Sequence, residues 1–332
     1  MPVAQIHQIL THVTSALTLG MFFVSRKFAG LRFVYRDIRG GGEWIGIFQQ
    51  QNKPTMRIDH ASFYRKPVRY GTFYALLMML LTGFVACGVN LFTVNEDIGF
   101  GQQMDQEIRN NPAQYPILQN EAVRGYLQGI VDQIVRAPQI KYRGTFPYKV
   151  TVINDDRTVN AFATPGGYVY VYTGLLRFLE NEASLAGVLA HEVAHAEERH
   201  GTEHMTQALG AEVALSIALG NNPSRLAEIA ANAGALLALL RNGRQDEIEA
   251  DTQSFQYLRS TSYWPGSIRY FFEKIGQGRR SSSVLEEWTS THPTDQSRID
   301  NINNLLREYQ VPAPTTAALK TDSYRTMLRQ LR

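Results

Sequence analysis

The stretch "LAHEVAHAEERHG" at 189–201 holds two histidines four residues apart, His191 and His195, with Glu192 beside the first. On a helix, residues i and i+4 lie on one face, one turn apart, so both imidazoles can address a single ion while the glutamate leans over the same point. This is the H-E-x-x-H geometry in which two histidines bind zinc and the glutamate acts as general base. A hydrolytic zinc site needs three protein ligands and one open position for water. His200 falls off the shared face by the helical period, and His204 lies further along. Metzincins place a glycine and then a third histidine after the pair, but here Glu198 and Gly201 stand at those positions. The third ligand must come from elsewhere.

The stretch "DEIEAD" at 246–251 supplies a candidate. Glu247 and Asp251 are i and i+4 on an expected helix, so both can face the histidine helix. Glu247 can complete the coordination of one Zn2+ per chain, while Asp251 accepts an N–H from a ligand histidine and fixes its tautomer. An acidic cluster alone reads as a solvated helix face; beside the histidine motif it reads as the closing part of a metal site. The chemistry that follows is hydrolysis: zinc lowers the pKa of water to about 7 and Glu192 takes the proton as the water attacks a carbonyl.

These side chains need elements to hold them. A helix is expected from Glu182 to about His200 and another over 245–260. Helices are also expected over 95–111 and 117–137, the second with Val123, Leu127, Ile130 and Ile134 on one stripe. Two more are expected in 203–240, one after Pro265 and one over 295–309. Alternating, β-branched runs at 148–155 and 168–174 read as strands, with "TPGG" a turn before the second. The class is α+β: a mainly helical, zincin-like domain with a small sheet.

The chain has 332 residues and a net charge of +3. The first 70 residues alone carry ten Lys/Arg against three Asp/Glu, so the remainder is net acidic and gives no sign of nucleic-acid binding. Cys87 is the only cysteine, which excludes an intrachain disulfide and a thiolate metal cluster. Residues 71–94 hold no charged side chain and are long enough to span a bilayer, which needs roughly 20 apolar residues. Arg65, Lys66 and Arg69 before the segment and Glu96 and Asp97 after it send the following residues across the membrane. The run "GFVACG" ending on Cys87 is also similar to a lipobox, so lipidation of Cys87 competes with an uncleaved helix. The expected organisation is a basic segment over 1–70, read as a targeting sequence or as residues ahead of the true start, a membrane or lipoprotein signal segment over 71–94, a zinc metallopeptidase domain over 95–310 and a C-terminal tail over 311–332.

"HEVAH" followed by "EIEAD" resembles the zinc metallopeptidases that include HtpX and the CAAX prenyl proteases. The branch most similar holds BepA, LoiP and the mitochondrial inner-membrane quality-control protease. "NAFATPGGYVYVYTGLL" at 160–176, "RHG" after the histidine helix and "THPTDQSRI" at 291–299 extend the resemblance over about 96–307. It implies zinc on His191, His195 and Glu247, with Glu192 as base. His292 and Arg298 occupy the family's late His-Pro and Arg positions, near the site; capping of a helix ahead of Pro293 is the plain alternative for His292. Trp264 stands where the family commonly has aspartate, and no helical-repeat domain is visible after Arg307.

A peptide substrate is expected to pair as an extra strand along Gly166, Gly167, Tyr168, Val169 and Tyr170, read as an exposed sheet edge. Tyr168, Tyr170 and Tyr172 share one face, which core packing would also produce. The function expected is a membrane-tethered zinc endopeptidase that cuts unfolded or misassembled proteins of a bacterial envelope, or of a mitochondrial inner membrane. A zinc-binding chaperone or assembly factor with little proteolysis is the alternative.

Overall fold

The computed structural model describes residues 47–48, 56–57, 90–209, 242–278, 286–293 and 296–331. The apolar segment at 71–94 and Cys87 lie outside this set up to residue 89, as do most of the two helices expected in 203–240. Among the described residues no helix is long and apolar enough to cross a membrane. The chain divides into two units, 1–81 and 82–332. In the first, β1 (Ile47–Phe48) pairs antiparallel with β2 (Met56–Arg57). The second unit holds the remaining described elements.

It opens with helix α1 (Val94–Asn110), whose start is fixed by a capping box: the Thr93 hydroxyl accepts the Glu96 N–H at 3.3 Å, and the Glu96 carboxylate accepts the Thr93 N–H at 2.6 Å. Helix α2 (Glu121–Ile134) starts four residues later than its apolar pattern suggests. Asn120 caps it, and the residues before it are extended: the Leu118 N–H donates to Val152 O at 2.9 Å and the Asn154 N–H to Pro116 O at 2.6 Å.

Those bonds cover the outer side of β3 (Val150–Ile153), the first strand of a three-stranded sheet. A strand absent from the sequence reading, β4 (Ala161–Thr164), follows, and then β5 (Tyr168–Tyr172). Their order is β3-β5-β4, with β5 parallel to β3 and antiparallel to β4. This corrects the expectation of an exposed edge along residues 166–170. Tyr168, Val169 and Tyr170 belong to the central strand, paired on both sides, while Gly166 and Gly167, at φ +75° and +83°, make the turn between β4 and β5. A side chain at Gly166 would also strike the Asp97 carbonyl at 2.9 Å. The strand with a free side is β4.

Both faces of the sheet are buried. Val150, Val152, Val169 and Val171 join the main core under the helices, while Tyr168, Tyr170, Tyr172 and Phe162 form a second cluster with Ile108 of α1. After the short α3 (Thr173–Phe178) comes the histidine helix α4 (Glu182–Glu197), capped by Asn181, which accepts the Ser184 N–H at 2.8 Å. Every residue of α4 is buried, so it runs through the middle of the domain. It ends before the expected point. Arg199 adopts a left-handed backbone, φ +62°, and the chain restarts as α5 (His200–Leu209).

Helix α6 (Arg244–Leu258) packs along α4, as does α7 (Ile268–Gly278). Gly187 allows the second contact, since a Cβ there would lie 2.5 Å from the Ile268 nitrogen. The short α8 (Glu286–Thr291) leads to His292, and α9 (Gln296–Glu308) packs on α6. The expected C-terminal tail is folded onto this body through α10 (Thr316–Leu319) and α11 (Thr321–Leu328). The Tyr324 hydroxyl donates to Leu176 O at 2.6 Å and the Asn120 amide to Gln330 O at 2.8 Å, so residues 311–331 are part of the domain.

Candidate metal centre

The packing of α4 against α6 brings the histidines and the acidic stretch together. The Nε2 atoms of His191 and His195 lie 3.0 Å apart. The Glu247 carboxylate reaches both, Oε2 at 3.4 Å from His191 Nε2 and Oε1 at 3.3 Å from His195 Nε2. His292 joins them, its Nδ1 3.0 Å from Glu247 Oε1. One ligand atom from each of these four buried residues lies within 4.8 Å of every other. Trp288 stacks on the His292 ring at 4.3 Å and orients it, a contact no spacing in the sequence announces.

Behind the cluster Asp251 accepts from His191 Nδ1 at 2.9 Å and takes a two-pronged contact from Arg298, with Nε and Nη2 each at 2.7 Å. The same guanidinium donates to Glu247 and lies over the Phe272 ring at 4.4 Å. Arg298 is buried behind the ligands and does not line the cleft.

Glu192 stands on the open side. The Ala163 N–H of β4 lies against its carboxylate and favours the charged form, and its Oε1 has no hydrogen-bond partner among the described residues. His292 Nε2 is likewise without a partner and faces Glu192 Oε1 at 3.6 Å. Glu192 and His292 line a cleft that runs from β4 to the Asp97–Arg199 ion pair. Asn242, another residue missed in the sequence, lines it with its amide nitrogen 3.2 Å from His195 Nε2.

The electrostatics call for a positive charge at the centre. Burial pushes the Glu192 carboxyl up from the ordinary carboxylate range. Burial would also raise Glu247, but His292 and Arg298 outweigh it and hold that carboxyl well below the usual value. Burial disfavours charge on His191, yet hydrogen bonds to Asp251 and Glu247 lift it to about 9. His195 is pushed well down, first by burial and then by His191. Two imidazole nitrogens and a carboxylate around one point, beside two unpartnered polar atoms, are a donor set that fits a divalent cation.

A buried histidine-and-glutamate centre on packed helices, opening on the free side of a strand, is a site of the metallopeptidase class. The chain belongs to peptidase family M48, whose family model matches residues 121–306. Among similar proteins are the beta-barrel assembly-enhancing protease of Escherichia coli K12, 27% identical over 70% of this chain and 49% of that protein, and the mitochondrial metalloendopeptidase OMA1 of Schizosaccharomyces pombe, 33% identical over 48% of each chain. The OMA1 of Arabidopsis thaliana is 34% identical over 46% of this chain and 30% of that protein. The chain spans about half the length, or less, of these relatives.

Proposed function

We propose that this protein is a zinc-dependent endopeptidase, tethered to a membrane, that cuts unfolded or misassembled envelope or membrane proteins. The convergence of His191, His195 and Glu247 on one point, with Glu192 between that point and the cleft, carries the reading. These three residues would hold zinc. When bound, the ion supplies Lewis acidity and a water whose pKa falls to about 7. Glu192 Oε1 takes the proton from the attacking water and returns it to the leaving amine. The raised affinity of Glu192 for a proton, a result of its burial, suits it to both roles. His292 Nε2 faces the same space, beside the oxygen that gains charge as the carbonyl is attacked. Asp251 and Arg298 act through the ligands, fixing the His191 tautomer and the Glu247 rotamer.

An extended substrate pairs along β4. The Tyr172 N–H bonds to Asn160 O at 3.1 Å, and with the antiparallel register this turns the backbone of Phe162 and Thr164 toward β5 and that of Ala161 and Ala163 toward the cleft. The amides on that side are engaged, Ala163 with Glu192 and Ala161 with Asn160 Oδ1 at 3.0 Å, so the Ala161 and Ala163 carbonyls are the acceptors offered to a peptide. Main-chain pairing reads few side chains and suits a protease for unfolded segments. The relatives' names, one of barrel assembly and one of mitochondria, support action at an envelope or organelle membrane, and the charge-free 71–94 supports the tether.

The test is metal analysis and proteolysis of the purified full chain. One zinc per chain and chelator-sensitive cleavage of an unfolded protein are expected; a metal-free chain with full cleavage would overturn the reading. Mass spectrometry of the mature N-terminus separates a lipidated Cys87 from an intact membrane segment.

A further inference from the structure

The break at Arg199 turns α5 back so that its first residue, His200, meets the zinc helix from behind. Its Nδ1 lies 2.8 Å from His195 Nδ1, with ring centroids 5.0 Å apart, and His200 is 2% exposed. His195 Nε2 faces His191 and Glu247. If that nitrogen is to offer a lone pair to a metal, the ring proton must sit on Nδ1. Among the described residues its acceptor is His200 Nδ1, which places the His200 proton on Nε2. That nitrogen has no hydrogen-bond partner among the described residues and points toward Glu249, whose carboxylate is 3.6 Å away. The three groups form a one-way series: His195 donates to His200, and His200 points its remaining N–H at a carboxylate. The series copies on the His195 side what Asp251 and Arg298 do for His191, with a neutral imidazole in place of an anion.

Resting on the zinc reading above, the geometry points to His200 as a positioning residue that holds His195 in the tautomer and orientation able to bind metal through Nε2. Loss of such a hydrogen bond typically weakens metal affinity by about 10–100-fold.

Two substitutions in the full chain separate this role from plain packing. His200→Asn keeps an acceptor on the atom corresponding to Nδ1 but discards the ring; His200→Phe keeps the ring and discards the acceptor. The readouts are the zinc dissociation constant, measured against a competing chelator, and thermal unfolding of the zinc-free proteins. His200→Phe is expected to weaken zinc binding by about 10–100-fold, while His200→Asn stays close to the unsubstituted chain even if its zinc-free form melts earlier. Tight zinc binding by His200→Phe, or a loss in His200→Asn as large as in His200→Phe, would overturn the assignment. Should one variant not fold, the other still decides: tight zinc binding by His200→Phe, or a loss of about tenfold or more in His200→Asn, would overturn the assignment. An unsubstituted chain without stoichiometric zinc would instead remove the proposed function, and this inference with it.

Discussion

The two sides of the metal centre are built on opposite principles. At the back, Asp251 and Arg298 are fully buried and their side-chain polar atoms bond to the ligands and to each other. At the front, Glu192 Oε1 and His292 Nε2 are equally buried, yet neither has one among the described residues. An unsatisfied buried polar atom costs about 1–3 kcal/mol. The front therefore holds the atoms whose partner arrives with the substrate, while the back holds those whose partners keep the ligands still. Stability and chemistry are assigned to different walls of one site.

Substitutions on each wall should separate accordingly. The largest effect is expected at the front: Glu192→Gln should lower kcat by about 10³-fold with zinc retained and thermal unfolding nearly unchanged. Undiminished turnover would end the assignment of Glu192 as base and erase the contrast. At the back, Arg298→Met should destabilise the fold by about 3–5 kcal/mol in denaturant titrations, because two buried carboxylates lose their cation. A marginal change there would show that the back wall does not support the ligands. Gly187→Ala is the next test. A methyl group pressed on the Ile268 backbone should cost about 1–3 kcal/mol of stability and leave kcat per folded molecule little altered.

The smallest effect lies at the far end of α4, where Glu182 accepts from Tyr126, from Tyr263 at 2.6 Å and from Lys320 at 3.2 Å. Burial pushes this carboxyl up, but the hydroxyl donors and the ammonium outweigh it and hold it below its ordinary value of 4.5. A group lowered in the folded state contributes stability above its unfolded value and loses it as pH falls through the folded one. Glu182→Gln should thus cost about 1–2 kcal/mol at pH 7, with the gap to the unsubstituted chain closing below about pH 4. A gap that widened on acidification would contradict the sign.

The contrast also explains what could be read from the sequence. The i, i+4 spacings of His191 with His195 and of Glu247 with Asp251 are helix properties, so a correct helix assignment put each pair on one face. That the two faces meet is a tertiary contact between α6 and α4, which is buried all round, and the spacing within either helix does not announce it. Strand β4 was missed because "AFAT" has little β-branched character, and its pairing comes from its neighbours. With β4 absent, β5 looked like an edge. The break at Arg199 was equally hidden, since arginine has no preference for a left-handed backbone, and an unbroken helix put His200 on the wrong face. Trp288, on the short α8, and Asn242, two residues ahead of α6, belong to no spaced pair, so the sequence gives no signal for either.

That same break is clasped by the residues that open the domain. The Asn90 amide bonds to Thr202 Oγ1 at 2.8 Å, the Leu91 N–H to Thr206 Oγ1 at 3.3 Å, and Asp97 to Arg199 at the rim of the cleft. A mechanical load entering the domain at residue 90 would be delivered to the rim of the cleft and the start of α5, a few residues from His195. Tension and proteolysis would share one short lever.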